Sequence, residues 1–92
     1  MSNMKVTFDL GETRHVKLLI HSCKGDDFEI ISASYQFVQK GAETPEDEGA
    51  SVIMEHVIDQ VITPKNKGWY NLIVTYMIAD ETLIENVEVQ VR

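Results

Sequence analysis

Alternation of apolar and polar residues dominates the last third of the chain, from Lys67 to Val91. Tyr70, Leu72, Val74, Tyr76 and Ile78 fall on one face of the first run. After the turn Ala79-Asp80-Glu81, Leu83, Val87, Val89 and Val91 share a face, with Asn86, Glu88 and Gln90 opposite. A repeat of two belongs to a strand, so the segment predicts an antiparallel hairpin with one buried face. A one-sided sheet needs a second layer to cover it.

The same pattern recurs upstream. Val6, Phe8 and Leu10 alternate with Lys5, Thr7 and Asp9, predicting a strand over 4–10 that Gly11-Glu12 ends. Over 14–22, Val16, Leu18 and Ile20 share one face and His15, Lys17, Leu19, His21 and Cys23 the other, before a turn at 24–27. Residues 28–40 predict a long strand whose phase changes near Ile30-Ile31, the mark of a bulge. Beyond it Ile31, Ala33, Tyr35 and Phe37 point one way, and Ser32, Ser34 and Gln36 the other. The acidic stretch Gly41–Gly49 predicts an exposed loop.

Residues 50–63 carry two conflicting signals. Ile53, Met54, Val57, Ile58, Val61 and Ile62 recur at helical spacing, and Thr44-Pro45-Glu46-Asp47 would cap a helix over about 46–62 that Pro64 ends. Against a helix stand the many β-branched residues between Ser51 and Thr63, and Gly49 inside the span. The strand reading, with strands over 51–55 and 57–63, yields about seven in all and predicts an all-β antiparallel sandwich. The helical alternative is α+β, one helix on an antiparallel sheet.

Ninety-two residues allow a single domain, 1–92, with one core. The formal net charge of -7 repels phosphate backbones and anionic membranes, so neither nucleic acid nor membrane is an expected partner. A single cysteine, Cys23, forbids an internal disulfide, leaving stability to packing or to neighbouring subunits. With no apolar signal core near Met1 and no stretch long enough to span a bilayer, the expected location is the cytoplasm, or a virion assembled there.

Gly68-Trp69-Tyr70-Asn71-Leu72 resembles the G-x-Y-x-C stretch of immunoglobulin-like domains. The resemblance implies an immunoglobulin-like β-sandwich in which Tyr70 is a tyrosine corner, its hydroxyl bonding back to the preceding loop. Leu72 stands where that family has its second cysteine, Leu18 or Ile20 where it has the first, and Tyr35 is the nearest stand-in for its buried tryptophan. The stretch from Val61 to Thr82 also looks like small prophage-encoded modules of this fold, which implies a virion structural or tail-associated role.

Chemistry is sparse. His21 and Cys23 sit two apart on one strand face, near enough to share a metal, whereas His15 lies about 20 Å from His21 along a straight strand. Solvent-facing histidines beside a free thiol are the simpler reading. Glu43, Glu46, Asp47 and Glu48 offer loop carboxylates for Ca²⁺ without EF-hand spacing, and such charge runs are usually solvated. No nucleophile with a base and oxyanion donors, no phosphate loop and no paired carboxylates in an apolar setting are legible, so neither an enzyme nor a cofactor is expected.

The outer face of the terminal hairpin holds the strongest functional signal. Trp69, Ile73 and Met77 alternate opposite Tyr70 and Leu72, with Ile84 on the matching face of the last strand, an apolar patch suited to a protein interface or covered as a minor core. The expected role is a non-catalytic structural or assembly module that forms a homo-oligomer. The rival is a ligand-binding module taking carbohydrate or Ca²⁺ through the 41–49 loop and nearby aromatics.

Overall fold

The computed structural model describes residues 4–20 and 28–92. Eight strands account for most of them: β1 (Lys5–Phe8), β2 (Arg14–Leu19), β3 (Ile30–Gln39), β4 (Asp47–Ala50), β5 (Val52–Met54), β6 (Val57–Ile62), β7 (Gly68–Ile78) and β8 (Glu81–Val91). They form a five-stranded sheet, β1-β8-β7-β3-β4, facing a three-stranded sheet, β2-β6-β5. Among the described residues, all pairings are antiparallel except β1 with β8. The fold is all-β and sandwich-like.

The helical alternative at 46–62 is not what the chain adopts; β4, β5 and β6 occupy that span. Helical spacing there is a by-product of two strands in succession. In β6, Ile58 and Ile62 are buried, and so is Gln60 between them. Gln60 is tolerated in the core because its amide donates to the Val16 carbonyl and its oxygen accepts from Ser51 Oγ at 3.0 Å. The predicted exposed loop 41–49 ends in an eighth strand, since Asp47–Ala50 pairs with Ser34–Phe37 along the edge of β3.

Phase decides which residues fill the interior. Val16, Leu18, Ile20, Ile58 and Ile62 project from the small sheet onto Phe37, Tyr70, Leu72, Val74, Val87 and Val89 from the large one, and all are buried. The ladder between β3 and β7 shifts register between Ile30 and Ser32. That bulge buries Ile30 and turns Ile31 out to 59% exposure, so Ile31 does not share the inward face of Ala33 and Phe37. The central aromatic of β3 is Phe37, which stacks on Tyr70 with ring centroids 4.2 Å apart. Tyr35, opposite Gly49 in register, is half-buried, with its hydroxyl 3.4 Å from Asp47 Oδ2.

Two tight connections run through left-handed backbone. Ile78 pairs with Glu81 and Met54 with Val57, leaving two-residue loops whose first residues, Ala79 and Glu55, both have φ of 55°. Gly68 opens β7 at φ 130°, where a side chain would also meet Gln39 Nε2 at 3.0 Å.

Candidate functional site

Alternation along β7 carries Tyr70 into the interior and Trp69 to the outer surface of the large sheet. Tyr70 is fully buried; Trp69 is 38% exposed. The Tyr70 hydroxyl reaches the Asn66 carbonyl oxygen, four residues upstream, at 3.0 Å and Glu46 Oε1 at 2.9 Å. Its pKa is pushed up to about 12, first by burial, then by the hydrogen bond to Glu46 and the charge of that carboxylate, against a smaller downward pull from Asn66.

Glu46 is a structural clasp within the acidic loop. Besides Tyr70, its carboxylate accepts from the Lys65 backbone N–H at 2.9 Å and the Asn66 side-chain amide at 3.2 Å. The other carboxylates of that loop diverge: Asp47 turns to Tyr35, and Glu48 to Gln36 Nε2 at 3.5 Å. Among the described residues no group of three His, Cys, Asp or Glu side chains converges as a metal site. His21 and Cys23 lie outside the described residues.

The four outer-face residues named from the sequence form two separate features. Trp69 stands among charges: Lys5 Nζ is 4.9 Å and Lys40 Nζ 5.6 Å from its ring centroid, and Lys40 pairs with Glu88 at 2.9 Å. Hydrogen bonding to Lys40, and then the charge of that ammonium, hold the Glu88 carboxyl below its ordinary pKa. The strand rise places Ile73 about 13 Å further along β7, with Asn71 between. There Ile84, 67% exposed, sits opposite Thr75 in register and diagonal to the half-buried Ile73 and Met77. Beside Ile73 a shallow depression of about 410 Å³ is lined by Ser34, Gln36, Glu48 and Thr75.

A second apolar surface escaped the sequence reading. On the outer face of the small sheet, Leu19, Val52, Met54 and Val61 are all exposed, with Val57 among them. The signal was present in the alternation of β2, where Leu19 opposes Val16 and Leu18. Because β5 and β6 read as one ambiguous segment, their outward residues could not be assigned to any face. At its centre lies Asp59, 7% exposed, whose two oxygens are each 3.0 Å from His15 Nδ1. Val52 and Lys17 flank Asp59 in register.

Chemically the surface offers apolar contact, two lysines over an indole, and backbone edges. No protein-family model matches the chain, and neither curated proteins nor solved structures give a match.

Proposed function

We propose that the chain is a non-catalytic assembly module that acts through protein–protein contacts and pairs with copies of itself by the outer face of the five-stranded sheet. The observation carrying this reading is Ile84, left 67% exposed beside Ile73 and Met77 on two eleven-residue strands. Large aliphatic side chains clustered on a broad sheet face favour a desolvated contact. Size favours this face over the other. At about 16 Å² of sheet per residue, the five strands present about 650 Å² in projection and the three strands about 250 Å². Only the larger approaches the roughly 800 Å² per partner of a standard interface once side-chain relief is added.

The setting we propose, a phage particle or its tail, rests on the resemblance of residues 61–82 to prophage-encoded modules. Repeating a small disulfide-free domain across a symmetric assembly supplies stability that one core of this size supplies sparingly.

Sedimentation velocity across a concentration series tests the proposal. The native chain is expected to sediment as an oligomer, with Met77→Glu and Ile84→Glu moving it to monomer and Trp69→Ala having a smaller effect. A native chain that stays monomeric at high concentration, or a profile unmoved by both glutamates, removes the interface.

A further inference from the structure

We infer that the outer edge of β2 is an acceptor for an added strand, and that its partner is an extended segment alternating apolar and acidic residues. In the four-strand sheet of a constant-type immunoglobulin sandwich, a first strand lies beside the second. Here β1 pairs instead with β8 on the opposite sheet, and no described strand pairs with β2 on its second edge.

The ladder shows which groups that edge presents. The Ile20 N–H donates to the His56 carbonyl at 2.8 Å, continuing the β2–β6 register by one residue. In a regular antiparallel ladder alternate residues bond the same neighbour. Arg14, Val16, Leu18 and Ile20 therefore direct their backbone groups to β6, and His15, Lys17 and Leu19 direct theirs outward.

Three features make this edge receptive to a strand. It is six residues long and its register is unbroken, whereas the edge strands β1, β4 and β5 have four, four and three residues. It contains neither proline nor glycine. Finally, Lys17 and Arg14 put two cations along it on a chain of net charge -7, with Arg14 reaching the Thr7 carbonyl and Asp59 lying beside His15 and Lys17.

That charge selects the occupant. Pairing β2 with β2 of another copy would set like charges against each other, which disfavours self-association. An acidic strand is favoured instead. Its outward side chains would lie beside Lys17 and His15, and its inward ones would extend the apolar row of Val16, Leu18 and Ile20 at the margin of the core. Main-chain bonds would supply affinity and the alternate side chains selectivity.

The test is amide NMR of the full chain with the capped peptide (Glu-Val)4. The peptide is expected to shift the His15, Lys17 and Leu19 amides and slow their exchange at least tenfold. The capped peptide (Lys-Val)4, and a (Glu-Val)4 peptide N-methylated at alternate residues, are expected to have no such effect. Lys17→Glu should weaken binding at least tenfold, while Met77→Glu should leave it unchanged, which keeps this test separate from the oligomer. No response at millimolar peptide, a response confined to β1, β4 or β5, or equal binding of the lysine peptide overturns the inference.

Discussion

Glu46 holds Tyr70: its Oε1 lies 2.9 Å from the tyrosine hydroxyl, joining the start of β7 to the turn that leads into β4. The same carboxylate ties down the Lys65 N–H and the Asn66 amide, so one side chain anchors the whole 63–67 crossing between the sheets. Removing it leaves the Lys65 N–H and the Asn66 amide to find new partners and the Tyr70 hydroxyl with the Asn66 carbonyl alone. Glu46→Ala is expected to cost about 1–3 kcal/mol, lowering the melting temperature by roughly 5–20 °C for a domain of this length. Glu43→Ala, at an exposed position in the same loop, should stay within about 0.5 kcal/mol. Equal melting temperatures for the two variants would dissolve the distinction.

Alkaline pH should loosen the same corner. The folded Tyr70 has a pKa of about 12 against an ordinary value of 10.0, so the fold favours its protonated form. That stabilisation is complete below pH 10 and is lost as pH rises through 12, amounting to on the order of 2–3 kcal/mol. Tyr35 and Tyr76 act in the same sense, both raised first by burial and then by Asp47 and Glu85 respectively. Urea midpoints at pH 8, 10 and 12 should fall steeply over the last interval, and less steeply in Tyr70→Phe. A midpoint independent of pH would contradict the buried hydroxyl.

Phe37 is a demanding position in the core. It is fully buried, stacks on Tyr70 and faces Leu72 in register. Phe37→Ala is expected to cost about 3–5 kcal/mol, a large share of the roughly 5–10 kcal/mol available to a chain of this size. Tyr35→Ala, at a half-buried position, should cost less. Denaturant unfolding of the two variants ranks them, and the opposite order would mean that Tyr35 is the central aromatic.

Backbone strain gives a substitution that should stabilise. Ala79 holds φ of 55° in the β7–β8 turn, a conformation glycine adopts without the Cβ clash. Ala79→Gly is expected to gain about 0.5–1 kcal/mol after the added freedom of the unfolded chain is counted. Gly68→Ala, at φ 130° with Gln39 Nε2 in the way, should lose at least about 1 kcal/mol. Thermal melts that move both variants the same way would contradict this assignment.

Much of this architecture was legible because a period of two needs no knowledge of neighbours. Tyr70, Leu72, Val74, Val87, Val89, Val16 and Leu18 are buried where alternation placed them, and the bulge falls where the phase of β3 changes. Short elements were harder. β4 and β5 have four and three residues, too few for alternation to be distinguished from a polar loop or a helical stripe. The outer-face residues were correctly alternated yet wrongly joined, because spacing along β7 does not reveal that Lys5 and Lys40 close around Trp69.

By itself the sequence determined the strand class, the inward and outward faces of the long strands, and the acidic balance, since these follow from side-chain chemistry read locally. Tertiary structure decided the rest: that β1 crosses to lie parallel to β8, that Glu46 turns from the acidic run to hold Tyr70, and that no described strand pairs with the second edge of β2. Each depends on contacts between segments far apart in the chain. Their energies are settled by which groups can be satisfied together once the core closes, and no single segment carries that information.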